Sequence, residues 1–349
     1  MLNWLFVGTL AVSLAALLYW GARTLPRERW QILAAVPIAK NANGHWQGLN
    51  LTYYGLFSAT GTTFGLAMVL LLLGSVRVPL WVVIALALFL VGVCVPASRL
   101  IAALVEHKRN TFTVAGAAFI ATLLLPWMVL AFSHFTAHTS APLSPEPVFA
   151  AVVVGYVLGE SIGRLACLSF GCCYGVPLRQ TTAWLARLFR EHNVVIDGAT
   201  KKAAYASGLE GEPLVPVQII TSVIFAAAGL SGMAFFLCRH FKLAAIVPLL
   251  ISCAWRTGSE WLRADYRGSS RISAYQRMAI LSAVYLTAII GVLPSSASAR
   301  PRLADGLAQF ASVPIVIGLQ CAWIALFLYY GRSRVTASTL SFHVVQDRI

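Results

Sequence analysis

The chain has 349 residues, of which 59% are hydrophobic and only 11% are charged, and its mean hydropathy is +0.77. This composition excludes a soluble globular domain and predicts a polytopic membrane protein, because apolar runs of about 20 residues, the length that spans a bilayer, recur along it. The formal net charge of +14 therefore indicates contact with anionic lipid headgroups rather than with nucleic acid.

The apolar runs predict nine spanning helices and an all-α polytopic membrane helix bundle. The first run has no basic residues before it and no cleavage site after it, so we interpret it as a retained helix. Two connections are long, residues 21–49 and 171–214, and the tail from Arg332 is expected to be loose. Within 171–214, an amphipathic piece at Thr181–Arg190 either lies on the membrane or belongs to a small head segment. The predicted helices are 2–20, 50–74, 79–105, 111–133, 147–170, 215–238, 242–262, 276–293 and 308–330.

Five ionisable residues in predicted helices are expected to be buried, where hydrocarbon penalises charge: Arg99, Glu160, Arg164, Arg256 and Glu260. Glu160 and Arg164 are four residues apart, as are Arg256 and Glu260, so each couple is predicted to pair within its helix. Two interpretations follow. The residues are structural ion pairs of a bundle, or they form a polar cavity whose arginines bind an anion. In a membrane the fitting anion is a phospholipid headgroup, because guanidinium groups bind phosphate with two parallel hydrogen bonds.

The fifth predicted helix ends in a turn in which Gly171 and Gly175 bracket Cys172 and Cys173. Metal sites usually need four ligands, and His192 is the only histidine near this pair in the sequence. We therefore predict no metal and interpret the cysteines as packing residues of the turn, with a reactive thiol as the alternative.

Polar and aromatic residues also lie at predicted helix ends. Arg263, Asp265 and Arg267 follow the seventh helix, where charged side chains commonly reach the interface. Tyr54 opens the second helix and is either part of an aromatic belt or a phenol that reaches a headgroup site.

Five blocks of the sequence stand out in order: L-T-Y-Y-G-L-F at 51–57, P-A-S-R-L at 96–100, G-R-L-A-C-L-S-F-G-C-C-Y-G-V-P at 163–177, V-P-V-Q at 215–218, and R-T-G-S-E-W-L-R-A-D-Y-R-G at 256–268. Together they resemble prolipoprotein diacylglyceryl transferases, membrane enzymes that move diacylglycerol from phosphatidylglycerol to a lipoprotein cysteine. The resemblance implies a core over 50–293 with a head segment at 171–214. It leaves 1–49 and 294–349 as additions, each with one extra helix.

The resemblance also implies a chemistry that needs no metal or organic cofactor. Its expected partners are phosphatidylglycerol or another anionic phospholipid and a prolipoprotein that carries a lipobox. The expected location is the bacterial inner membrane. The implied catalytic residues are Arg164, Arg256, Glu260 and Tyr54. The candidate substrate-binding residues are Arg99, Glu160, Gly175, Gln218 and Arg263.

The sequence departs from the family pattern at two places. The helix at 111–133 has no histidine before its glycine: it reads T-F-T-V-A-G-A-A with Gly116, and His107 lies several residues earlier. Where the signature of the family has an asparagine and an acidic residue, this sequence has Cys167 and Cys172. These departures leave the acceptor open, with another acceptor or a non-catalytic lipid-binding or transport protein as the alternatives.

The membrane orientation also stays open at this point. Loops after the odd-numbered predicted helices hold eighteen Lys and Arg residues when Arg277 at the edge of the next helix is included, whereas those after the even-numbered helices hold five when Lys242 at such an edge is included. The positive-inside rule therefore places 171–214 in the cytoplasm. The family resemblance implies the opposite face, where prolipoproteins arrive.

Overall fold

The computed structural model describes residues 1–107, 113–137, 143–265, 272–293 and 300–349. Nine helices in these ranges are long and apolar enough to cross a membrane, so the predicted all-α polytopic bundle is confirmed. The start of the fourth predicted helix, 111–112, lies outside the described residues. The spanning helices are α1 (Leu2–Thr24), α2 (Tyr53–Ser75), α3 (Leu80–Glu106), α4 (Val114–Thr136), α5 (Pro145–Phe170), α8 (Val217–Leu237), α9 (Phe241–Ser259), α10 (Ala274–Val292) and α12 (Val313–Gly331).

Shorter elements occupy the connections. The predicted helix at 308–330 is wrong at its start, because the chain forms two helices with a break at Ser312 and Pro314 near the start of the second. The amphipathic piece at Thr181–Arg190 contains one short helix, from which Trp184 and Leu188 are exposed. The short elements are β1 (Ile32–Lys40), β2 (Trp46–Thr52), α6 (Ala183–Leu188), β3 (Val194–Val195), α7 (Lys202–Ser207), β4 (Pro213–Leu214), α11 (Leu303–Phe310) and β5 (Arg332–Leu340).

Helix α5 is the centre of the bundle and packs against α2, α8 and α9. Its contact with α2 is made by glycines spaced four residues apart. A Cβ on Gly61 would lie 2.6 Å from the Gly159 carbonyl oxygen, and one on Gly65 would lie 2.7 Å from the Gly155 oxygen. Small residues at this spacing let membrane helices approach closely. The approach fixes the first turn of α2 beside the last turns of α5.

A three-stranded antiparallel sheet with the order β1-β2-β5 lies at one end of the bundle. Leu49 of β2 pairs with Ala337 of β5. The expectation of a loose tail from Arg332 is therefore wrong for 332–340, because those residues form the third strand of the sheet. The hydroxyl of Thr52 also donates to the Gly331 carbonyl at 3.0 Å, which ties α12 to the start of α2.

The head segment is anchored by a buried lysine. The Lys201 side chain is fully buried, and its Nζ donates to the carbonyls of Leu25, Pro26 and Arg27 at 2.8, 2.6 and 2.8 Å. Burial lowers the pKa of Lys201 to about 7. The head is thus fastened to the chain that leaves α1.

The two sides of the bundle follow from these contacts. The sheet and the anchor join connections that leave α1, α5 and α12, and we call this the head side. On the opposite side, the Arg302 amide donates to the Ser75 carbonyl at 2.8 Å, and Arg77 pairs with Asp305 at 2.8 Å. The connections that leave α1, α5 and α12 therefore share the head side, and in the sequence they belong to the set of loops with the larger number of basic residues.

Candidate functional site

Two arginines from different helices meet on one carboxylate at the head-side end of the bundle. Glu160 and Arg164 lie one turn apart on α5 and form the predicted ion pair through Glu160 Oε1. The other oxygen, Oε2, lies 3.3 Å from Nη2 of Arg256 on α9. The side chains of Glu160, Arg164 and Arg256 are 6%, 12% and 14% exposed. The expected proximity of the two arginines is confirmed, whereas their roles in binding or catalysis stay predictions.

Arg256 also contacts an aromatic residue that the sequence reasoning missed. Its Nη2 donates to the Tyr156 hydroxyl at 2.5 Å, and the guanidinium carbon lies 5.6 Å from the centre of the Phe225 ring. Tyr156, Glu160 and Arg164 are spaced four residues apart, so they share one face of α5. This spacing is the signal in the sequence that places Tyr156 beside the ion pair. An aromatic residue on that face nevertheless resembles the many lipid-facing aromatics of a spanning helix.

Both arginines keep one donor that the protein does not use. Nε of Arg164 and Nε of Arg256 are buried and have no hydrogen-bond acceptor among the described residues. A buried donor without a partner costs about 1–3 kcal/mol. The two positive charges of the cluster also exceed the single negative charge of Glu160, so the cluster has a net positive charge that suits an anion.

The predicted pair of Arg256 and Glu260 is wrong. Helix α9 ends at Ser259 and continues as a tighter 3-10 turn from Glu260, so the four-residue spacing no longer places the two side chains together. Instead, Glu260 accepts a hydrogen bond from the Ser273 hydroxyl at 3.3 Å and lies 3.8 Å from Arg263. Glu160 takes the place that Glu260 was expected to have beside Arg256.

Arg263 forms a second buried cluster with two carboxylates. Its Nε and Nη2 donate to the two oxygens of Asp265, both at 2.8 Å. Burial lowers the pKa of Arg263, but Cys173 and the carboxylates of Asp265 and Glu260 outweigh that effect and hold the pKa well above its ordinary value. The positive charge of Arg263 is thus balanced by the carboxylates of Asp265 and Glu260. Arg267 lies outside the described residues.

Gly175 and Gln218 lie in the turn that supports the site. The backbone of Gly175 bridges that of Arg263, and a Cβ at Gly175 would lie 2.2 Å from the Val215 carbonyl oxygen. Only glycine permits this approach. Gln218 donates to the Cys172 carbonyl at 3.0 Å, so both residues hold the turn in place.

Tyr54 and Arg99 occupy different environments. Tyr54 borders the cavity described below, with its ring edge-on to Phe170 at 5.7 Å between centroids. The Arg99 guanidinium lies over the Tyr329 ring at 4.2 Å, and in α3 Ser98 rather than Arg99 borders the cavity. The expected convergence of three arginines is therefore limited to two.

The polar cluster borders the head-side part of a cavity of about 330 Å³ inside the bundle. Arg164, Glu160 and Arg256 border it together with apolar residues of α2, α3, α4, α5, α9 and α10. The lining follows α2 from Tyr54 to Val69, which corresponds to about 22 Å of helix. One leaflet of hydrocarbon is about 15 Å thick, so an acyl chain fits along this length. An apolar channel with a cationic end suits an anionic amphiphile.

Three cysteines lie beside this cluster. The Sγ atoms of Cys167, Cys172 and Cys173 lie within 4.8 Å of one another, and Nη1 of Arg164 is 4.0 Å from Sγ of Cys173. Sequence reasoning considered only the adjacent pair and missed Cys167 as a third member. The neighbouring thiols raise the pKa of Cys172 well above its ordinary value.

Comparisons with known proteins assign no family. A scan against protein-family models finds no match, and a search of curated proteins finds no significant relative.

Proposed function

We propose that this protein is a membrane transferase that moves a diacylglyceryl group from phosphatidylglycerol to the cysteine thiol of a prolipoprotein in the bacterial inner membrane. The observation that carries the proposal is the Arg164–Glu160–Arg256 cluster at the head-side part of a largely apolar cavity. The motif resemblance described above supports the choice of reaction.

The cluster would bind the lipid phosphate. A phosphodiester has one negative charge, which the excess positive charge of the cluster balances. Guanidinium groups from two helices approach such a group from two directions, and both border the cavity that would hold the lipid. Glu160 holds the two arginines at a fixed separation, whereas Tyr54 borders the same end and donates to the headgroup or to the incoming group.

The reaction needs stabilisation of a leaving group. The acceptor thiol releases its proton to water, its sulfur attacks the glyceryl carbon to form an S–C bond, and the C–O bond to phosphate breaks with its electron pair on the phosphate oxygen. Arg164 and Arg256 then face a group with more negative charge than the substrate had. Preorganised donors of this kind typically contribute a factor of about 10²–10³ each.

The direct test is transfer in reconstituted vesicles. We expect the purified protein to move an acyl-labelled diacylglyceryl group from phosphatidylglycerol to a lipobox peptide, with a thioether product that mass spectrometry identifies. A peptide with serine in place of cysteine and a phosphatidylcholine donor are the matched controls. Binding of phosphatidylglycerol without any product would contradict the enzyme and favour a lipid-binding or transport protein.

A second candidate keeps the scaffold and changes the acceptor to a cytoplasmic nucleophile. It is favoured by one observation: the polar end of the cavity lies on the head side, which holds the larger number of basic residues. Each such residue gains about 1 kcal/mol near an anionic leaflet, so this bias is a strong orientation signal.

Accessibility to an impermeant thiol reagent separates the two candidates. Ala206→Cys and His343→Cys report on exposed positions of the head side, and the exposed native Cys238 reports on the opposite side. Cys172, Cys173 and Cys321 are replaced by serine in this background. Labelling of the head-side positions in intact cells supports the prolipoprotein acceptor. Labelling of those positions only after permeabilisation excludes it and supports the cytoplasmic one.

A further inference from the structure

Three thiols converge where α5 ends, although only two of them are adjacent in the sequence. Cys167 is in the last turn of α5, and its Sγ lies 3.8 Å from that of Cys173. Gly171 ends the helix with a φ of 70°, and Cys173 has a φ of 57°, an uncommon value for a residue other than glycine. This left-handed turn brings Cys172 and Cys173 back over the helix end beside Cys167.

The separation of the thiols suits a thiolate-coordinated zinc ion. A Zn–S bond is about 2.3 Å, so two thiolates of a tetrahedral site lie about 3.8 Å apart. The Cys167–Cys173 separation has that value, and the three sulfurs all lie within 4.8 Å of one another. Three protein ligands leave a fourth position open, as in catalytic rather than structural zinc sites.

The neighbouring charges favour the same assignment. Three thiolates with Zn²⁺ have one negative charge in excess, and Arg164 lies 4.0 Å from the Cys173 sulfur. The nearby carboxylates of Glu160 and Asp265 pair with arginines, and thiolate sulfur is the ligand type that a soft ion prefers.

We propose that Cys167, Cys172 and Cys173 hold a zinc ion whose open position binds the thiol of the acceptor. This inference rests on the proposed transferase function, since it assigns the acceptor side of that same site. Cys167 borders the cavity together with Arg164 and Arg256, so one ligand of the proposed zinc site adjoins the proposed lipid phosphate site.

The site supplies a nucleophile without a basic side chain. No histidine is among the described residues that border the cavity. Coordination to zinc deprotonates a thiol outright, and the released proton leaves to water. The bound sulfur then donates its electron pair to the glyceryl carbon, and the C–O bond breaks with its pair on the phosphate oxygen held by the arginines. The thioether product is a weaker ligand than the thiolate, which allows release.

The test measures metal, spectrum and transfer on the full chain. We expect about one zinc per protein in the wild type and in Cys238→Ser, an exposed cysteine away from the cluster. The triple variant Cys167→Ser, Cys172→Ser, Cys173→Ser should have only background zinc. Chelation and re-addition of zinc to the wild type provides a second measurement that is independent of the variant's folding. Equal zinc in the triple variant and the wild type, copper alone, or no zinc in either would overturn the site.

The open position is tested with cobalt in place of zinc. We expect the visible spectrum of the cobalt protein to change when a lipobox peptide with cysteine is added, and not with its serine analogue. No difference between the two peptides would overturn acceptor binding at the metal.

The transfer assay, run with and without metal, distinguishes the zinc proposal from the transferase function on which that proposal rests. If the transferase function holds, chelation should reduce transfer by on the order of 100-fold, and zinc should restore it. Undiminished transfer after complete metal removal would overturn zinc activation and leave the proposed function intact. Absence of transfer in the wild type would overturn the function, while zinc content and the cobalt spectrum would still report the site.

Discussion

Replacement of Glu160 by glutamine should leave two buried arginines without their shared counter-charge. At an effective dielectric constant of about 20, two charges 3.3 Å apart, the distance from Glu160 to Arg256, interact by about 5 kcal/mol. Removal of one partner of such a buried pair typically costs about 3–5 kcal/mol. With an unfolding entropy of about 2.1 cal/mol/K per residue, a 349-residue chain should then lose about 4–7 °C in melting temperature.

If Arg164 and Arg256 bind a lipid phosphate, an anionic lipid should replace part of this lost interaction. Ligand at 100 times its Kd stabilises by about 2.7 kcal/mol, so phosphatidylglycerol should stabilise every variant whose site is intact by about this amount, and it should stabilise Glu160→Gln by more, because arginines without a counter-charge bind the phosphate more tightly. Thermal unfolding in micelles with phosphatidylglycerol or phosphatidylcholine measures this effect. Glu146→Gln is the matched control, because Glu146 is equally buried and pairs with Lys242 at 3.8 Å on the opposite side. Equal rescue of both variants, or equal rescue by both lipids, would refute the reasoning.

Three other outcomes are expected. Arg164→Lys and Arg256→Lys should each reduce transfer about 100-fold or more and leave membrane insertion unchanged, because lysine keeps the charge but loses the paired donors; normal transfer would remove these residues from the mechanism. The folded protein releases the Lys201 proton near pH 7, whereas the unfolded chain holds it to about 10.4, so stability should rise by up to about 1.4 kcal/mol per pH unit between these values. Lys201→Met should lack this rise in pH-dependent melting curves, and a rise equal to that of the wild type would contradict the assignment. Gly159→Ala should lower the melting temperature, since the added Cβ would lie 2.6 Å from the Gly61 carbonyl oxygen. The control Gly163→Ala should melt like the wild type, because a Cβ at that position would have no atom within 4 Å. Similar melting of the two variants would argue against the close α2–α5 contact.

The spanning helices were predictable because a bilayer demands long apolar runs, and this constraint is local in the sequence. The sheet was not predictable in the same way. Strand β1 contains Pro37 and few polar residues, so it lacks a clear alternation, and its sheet is completed by β5, which lies near the other end of the chain. Pairing over such a separation leaves no local pattern.

The candidate site was partly predictable because charge within a membrane is costly. That rule identified Glu160, Arg164 and Arg256 before their contact was known. It could not identify Tyr156, because the helices contain many aromatic residues. It could not identify Cys167 either, because a cysteine in an apolar helix usually packs as a small apolar side chain.

The expected pairing of Glu260 with Arg256 failed for a different reason. It assumed that α9 continues through residue 260, whereas the helix tightens one residue earlier and turns the carboxylate towards Arg263. Helix ends depend on local geometry that spacing alone does not specify.

The most direct test of the central claim is a structure of the protein in nanodiscs that contain phosphatidylglycerol. The account predicts a lipid phosphate between Arg164 and Arg256, with its oxygens about 2.7–2.9 Å from guanidinium nitrogens and an acyl chain along the cavity towards Val69. Lipid phosphates found only on the outer surface of the bundle, with the arginine cluster in contact with protein alone, would contradict it.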